Sequence, residues 1–187
     1  RLLGEHWRHF MTLQFEKFEH DQIGHDDRMH FVRLVVAGGA VEGDRVREGI
    51  GRAGAQLFIA RYGGEIVGVA ALKVPLEDYR TTLKEKSGHE LSQSAFPREL
   101  GYVAVHTEHG GRGLARSLCD FAMRYAGDQG VFATTGTPQM LTSILPKLGF
   151  RWVGKVWLGD PNTKTGQKPD LHLMVRPKTL STPETVG

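Results

Sequence analysis

The chain has 187 residues, about one domain's worth. Its 40% hydrophobic and 24% charged residues exclude a disordered chain, and 24 Lys+Arg against 21 Asp+Glu is too even to argue for a nucleic acid or an anionic membrane as partner. The single cysteine, Cys119, excludes an internal disulfide and a multi-cysteine metal centre and fits a reducing, cytoplasmic setting, while no apolar run approaches the roughly 18 residues of a membrane span.

Residues 1–25 are set apart as an N-terminal segment that supplies a first strand or helix. The histidines His6, His9, His20, His25 and His30 lack the spacing of a shared metal site, so no metal is expected. A helix is predicted from Asp26 to Val36, opened by acidic residues that suit its positive end and stopped by Gly38-Gly39. A second short helix covers Val41–Ile50. Gln56–Tyr62 and Ile66–Val74 read as a hairpin around Gly63-Gly64, ended by Pro75. Residues 76–98 show no clean period and read as a long polar insert, a feature that is often functional.

The second half alternates. Leu100–Val105 is a strand, His109–Gly113 a glycine-rich turn, and Leu114–Ala126 a helix with Leu114, Leu118, Phe121, Ala122 and Tyr125 on one face. Val131–Thr135 is a short strand, and Pro138–Leu148 a helix capped by Gly149. Phe150–Leu158 and Leu171–Val175 are strands joined by the polar loop 159–170. Trp152 and Trp157 read as core or pocket wall, Lys164 and Lys168 as solvated. The tail 177–187, rich in Pro and Thr, reads as disordered. This order predicts an α/β (α+β) domain over 26–176, with a mixed, mostly antiparallel central sheet flanked by helices.

The most informative segment is Glu99–Arg116, ELGYVAVHTEHGGRGLAR, a strand running into a glycine-rich turn that opens a helix. Gly110, Gly111 and Gly113 allow positive φ and leave N–H groups uncovered at the positive end of the helix dipole, with Arg112 and Arg116 adding charge. That is a diphosphate cradle. A P-loop fails because Gly113-Leu114-Ala115 replaces Gly-Lys-Ser/Thr; a dinucleotide fingerprint fails because Arg116 takes the third glycine's place.

The segment resembles the coenzyme A motif of the GNAT acetyltransferases, Q/R-x-x-G-x-G/A, at Gly110, Gly113 and Ala115, with Gly110 standing where Gln or Arg is usual. Ile144–Phe150 (ILPKLGF) resembles the family's F-Y-x-K-L-G-F element, and the order of elements matches over roughly residues 26–176. The resemblance implies an N-acetyltransferase with acetyl-CoA as cosubstrate, direct attack by a primary amine in a ternary complex, and a small-molecule amine or a peptide or protein lysine as acceptor. A homodimer is compatible with it. The second hypothesis is a non-catalytic acyl-CoA-sensing module of the same fold. A nucleic-acid acceptor has little support in the mild charge.

The resemblance implies that Val103, Ala104, Val105, His109, Gly110, Gly111, Arg112, Gly113, Leu114, Ala115 and Arg116 hold coenzyme A. It implies Glu99 as proton acceptor, with Glu108 and His106 in reserve, and the Val103 N–H as oxyanion donor, Gly101 permitting a bulge nearby. The tyrosine that commonly protonates the thiolate is replaced by Leu145, leaving Ser143, Thr142, Tyr102 or solvent. Asp78, Glu85, Glu90 and Glu99 suggest a cationic acceptor.

Overall fold

The computed structural model describes residues 12–179; expectations for 1–11 and 180–187 lie outside the described residues. The elements, in chain order, are β1 (Leu13–Glu19), α1 (His25–Ala37), α2 (Gly43–Gly51), β2 (Gln56–Tyr62), β3 (Glu65–Lys73), α3 (Glu77–Ser87) and β4 (Arg98–Val105). They continue with α4 (Leu114–Ala126), β5 (Val131–Thr135), α5 (Leu145–Lys147), β6 (Arg151–Leu158) and β7 (Asp170–Arg176). Among the described residues, seven strands form one sheet in the order β1-β2-β3-β4-β5-β7-β6. Each neighbouring pair is antiparallel except β4–β5. The expected mixed sheet is therefore present.

The central strands β2 and β3 read as continuous apolar runs because both their faces are covered. Phe58, Ala60, Ala70, Leu72 and Leu100 face α4 through Leu114, Leu118 and Ala122. Leu57, Ile59, Val69 and Ala71 face α1 and α2 through Phe31, Val35, Val46 and Ile50. A third cluster seats α3 on β5 and β7 through Leu83, Leu91, Phe132, Leu173 and Val175. Each fully buried Leu, Ile or Phe contributes about 1.5–3 kcal/mol relative to exposure.

Several expectations are corrected. The insert 76–98 is not an unstructured loop: its first half is α3, opened by Glu77 and Asp78 and closed by Gly88 at φ 73°. The weak periodicity of α3 has a physical cause, since along it only Tyr79, Arg80, Leu83 and Ser87 turn inward, and Arg80 and Ser87 are polar. The helix expected over 138–148 is not regular. Met140–Ile144 is a π-helical turn, with the Leu145 N–H reaching back to the Met140 carbonyl. Pro146 explains it, because a residue without an N–H cannot continue the α ladder. Trp152 is 54% exposed rather than core. It lies on the edge strand β6, with its ring against His172. Tyr125, expected on the buried face of α4, is 48% exposed and leans on Phe58 and Phe121. Lys164 is exposed, as expected, and also donates to the Ala37 carbonyl.

Candidate active site

Strands β4 and β5 are paired only at Arg98↔Val131 and Glu99↔Phe132, and then part. From Gly101 to Val105, β4 has no β5 neighbour and stays half-buried. The split is a V whose apex is Glu99 and whose mouth lies at the β4–α4 turn.

β4 is also irregular on its other side. Ala71 pairs with Gly101 and Val69 with Ala104, so Ala70 alone faces both Tyr102 and Val103. This is a β-bulge, and it twists the strand as it leaves the apex. Tyr102 carries it at φ 52°, a non-glycine residue in the left-handed region. Its ring is anchored by a hydroxyl that donates to the Arg45 carbonyl (3.1 Å) on α2. Val103, the expected oxyanion donor, stands in this bulge. Val105 and Ala104 follow it along the mouth.

At the mouth, Gly110 donates to the Thr107 carbonyl (3.2 Å), so its N–H is already engaged. Gly111, Arg112, Gly113, Leu114, Ala115 and Arg116 donate no backbone hydrogen bond among the described residues. Gly111 and Gly113 have φ 73° and 75°, and a Cβ built on either meets open space. Gly113 is the N-cap of α4, and the first turn of that 13-residue helix carries no acid. Arg112 and Arg116 are exposed and in no ion pair among the described residues. His109 packs its ring on Tyr62 and His106 beside the turn. Uncovered N–H groups, a helix dipole and two free cations fit a diphosphate.

At the apex, Glu99 is 2% exposed. Lys73 on β3 pairs with its Oε2 at 2.9 Å. Its Oε1 accepts from the Tyr79 hydroxyl (3.1 Å) and from Thr134 Oγ1 (3.2 Å). Tyr79 comes from α3 and Thr134 from β5, so three elements converge there. Gly101 leaves room for the lysine: a Cβ on it would stand 2.7 Å from Lys73 Cε. The Lys73 ammonium also lies 4.5 Å from the centre of the Tyr102 ring. Burial, with Glu99 alongside, pushes the Tyr79 phenol well above its ordinary range, so it stays protonated. Burial also raises Tyr102, against the pull of Lys73.

The sequence pattern singles out Glu99 but gives no sign that Lys73, Tyr79 and Thr134 gather around it. Lys73 is the last residue of β3 and pairs with Glu99 in register, a signal visible only once the strands are aligned. The acidic cluster expected around the acceptor does not form. Asp78, Glu85 and Glu90 are exposed, Glu90 pairs with Lys84, and only Glu99 reaches the apex, matched there by Lys73. Of the reserves, His106 and Glu108 sit exposed beyond the end of β4. Thr142 Oγ1 is spent on the Pro138 carbonyl (2.8 Å). Ser143 is half-buried in the π-helical turn, and Leu145 is fully buried in the α4-side core. Cys119 is fully buried, and burial pushes its thiol up to about 12.

On the Glu99 face a bridge joins the two sides of the V. Thr163 N and Oγ1 donate to the Gly39 carbonyl (2.8 and 3.2 Å), and Asn162 Nδ2 donates to the Gly38 carbonyl (3.1 Å). Arg45 pairs with Asp160 at 3.5 Å. The β6–β7 loop is thereby latched to the α1–α2 turn.

A sheet split beside an N–H cradle defines an acyl-CoA-type transferase fold. The chain belongs to the acetyltransferase (GNAT) family, whose model matches residues 10–150. No curated protein sequence matches it. Among solved structures it is similar to Escherichia coli ElaA (13% identity, TM-score 0.64, covering 88% of this chain and 99% of that one). It is also similar to an acyl-CoA N-acyltransferase from Pseudomonas aeruginosa (16%, 0.63, 88% and 99%). A third is Arabidopsis thaliana NAA60, solved in complex with acetyl-CoA (16%, 0.61, 89% and 98%). Among the described residues no helix is long and apolar enough to cross a membrane.

Proposed function

We propose that the chain transfers an acetyl group from acetyl-CoA to a primary amine while both are bound. One observation carries this reading: the β4–β5 split runs from a buried carboxylate at its apex to the uncovered N–H groups of Gly111–Arg116 at its mouth. A long thin thioester carrying a diphosphate has that shape. The complex of NAA60 with acetyl-CoA, on the same fold, supports the choice of donor.

The cradle residues would hold the diphosphate, with Val103, Ala104 and Val105 lining the mouth. The donor supplies an activated acyl group. The chain supplies three things: a backbone N–H at Val103 for the developing negative oxygen, a proton acceptor centred on Glu99, and exclusion of water at a buried apex. Ser143 is the hydroxyl nearest in sequence to the replaced tyrosine, and solvent at neutral pH tolerates a departing thiolate whose ordinary pKa is about 8.5. Cys119 is too deeply buried to serve as a nucleophile, which favours direct attack over an acyl-enzyme. The bridge from residues 162–164 to residues 37–39 narrows the Glu99 face. A slender amine or an extended lysine-bearing peptide suits it better than a lysine on a flat protein surface.

The test is a thermal-shift titration with acetyl-CoA, coenzyme A, ATP and NAD, followed by an amine panel read by thiol release. Binding of acetyl-CoA and coenzyme A alone should raise the midpoint by mass action. No response in a folded sample removes the reading. Binding without thiol release across the panel favours the acyl-CoA-sensing module, for which the loss of tyrosine at Leu145 and of Gln/Arg at Gly110 speaks.

A further inference from the structure

Glu99 is poorly placed to meet an acceptor amine directly. It is 2% exposed, Lys73 occupies Oε2, and Tyr79 and Thr134 occupy Oε1. The Tyr79 hydroxyl both donates to the carboxylate and keeps a lone pair able to accept a proton from elsewhere, whereas Lys73 has no acceptor atom. Thr134 shares that chemistry, but its hydroxyl faces Tyr79 at 3.4 Å and is smaller in reach. Position favours Tyr79 as well. Glu99↔Phe132 is the last rung before β4 and β5 part, and Thr134 lies two residues further along β5. A hydroxyl touching both Glu99 and Thr134 stands in the crotch of the V.

Resting on the acetyltransferase reading, we propose that Tyr79, contributed by the inserted helix α3, is the catalytic residue that carries protons between substrates and Glu99, which acts as a positioning residue and proton store behind it. As the amine nitrogen forms its bond to the acyl carbon, its proton passes to the Tyr79 oxygen while the Tyr79 proton passes to Glu99 Oε1. As the C–S bond breaks, its electron pair goes to sulfur. The thiolate takes the Tyr79 proton, and Glu99 returns its proton to Tyr79. The amine proton ends on the thiol, and both side chains finish as they began. No phenolate is required, which agrees with a phenol held protonated by burial. The circuit also fills the place left by Leu145, which is sealed in the core.

The experiment compares the full chain with Tyr79→Phe, Glu99→Gln and the double variant, using acetyl-CoA and the best amine of the panel. Two readouts are independent of turnover: the melting midpoint and its rise with acetyl-CoA, both expected to survive Tyr79→Phe. kcat should fall about 100-fold or more in Tyr79→Phe with KM for acetyl-CoA unchanged. Two residues acting in series should not add, so the double variant should be no slower than the worse single variant. If Tyr79→Phe loses its melting transition, 3-fluorotyrosine at position 79 keeps shape and hydroxyl. It should alter kcat at least about 2-fold without moving the midpoint. Wild-type kcat in Tyr79→Phe, a multiplicative double variant, or an unchanged fluorotyrosine enzyme overturns the relay alone. Absence of transfer by the unmodified chain overturns the acetyltransferase reading, and the relay with it.

Discussion

Gly49 on α2 and Tyr102 on β4 meet so closely that a Cβ added to Gly49 would stand 2.3 Å from the Tyr102 hydroxyl. The contact matters because Tyr102 carries the bulge at φ 52°, and the bulge sets the direction of the β4 backbone beyond Glu99. Gly49→Ala must push the ring off the Arg45 carbonyl. The expected cost is about 1–3 kcal/mol of stability, as for an overpacked core. If the bulge aims the Val103 N–H, kcat falls by more than the melting midpoint suggests. A folded Gly49→Ala protein with full kcat would separate the bulge from catalysis.

At the cradle, Gly113→Ala introduces no clash, since nothing lies within 4 Å of the new carbon. It does force a left-handed residue at φ 75°, costing about 1–2 kcal/mol. The methyl also enters the open space that the diphosphate would use. The rise in midpoint on adding coenzyme A should shrink sharply, more than the basal midpoint falls. Calorimetric titration with coenzyme A reads this directly.

Cys119 gives a pH prediction with a definite sign. Burial pushes its folded thiol up to about 12, from an ordinary value of 9.0. Above 9 the unfolded chain loses this proton and the folded one keeps it, so this group's effect is absent below 9 and destabilising as pH rises towards 12. The slope is up to about 1.4 kcal/mol per pH unit. Cys119→Ala should flatten the alkaline fall in stability, measured by urea unfolding between pH 8 and 11. In the native protein the thiol should resist alkylation at pH 8 and react only on unfolding.

Asn162 organises the latch. Its Oδ1 accepts from the Lys164 and Thr165 N–H groups (2.9 and 3.1 Å), and its Nδ2 donates to the Gly38 carbonyl. Asn162→Ala should cost about 1–2 kcal/mol. It should also lower KM for bulky amines relative to small ones and leave KM for acetyl-CoA alone. Unchanged selectivity across an amine size series would make the latch purely structural.

Most of the frame was legible in the sequence, for identifiable reasons. β2, α4 and β5 run where their apolar periods and turn residues place them, because glycine pairs and helix stops act locally. The glycine turn opening α4 was legible for the same reason, although Thr107 takes the N–H of Gly110. What escaped was long-range. α3 hides behind a mostly polar surface. Lys73, Tyr79 and Thr134 meet Glu99 only after three separate elements pack. The π-helical turn follows from Pro146 acting on residues before it, against the expectation of an ordinary helix.

The latch also bears on how the chain matures. The last carbonyls of α1 and the turn after it, at Ala37, Gly38 and Gly39, find partners in Lys164, Asn162 and Thr163, as much as 127 residues downstream. During synthesis the first helix therefore emerges with an unfinished end, which water must satisfy until the final hairpin is made. The docking of that hairpin closes the molecule late, and a chain truncated before residue 162 would keep its cradle sequence but leave its first helix unsealed.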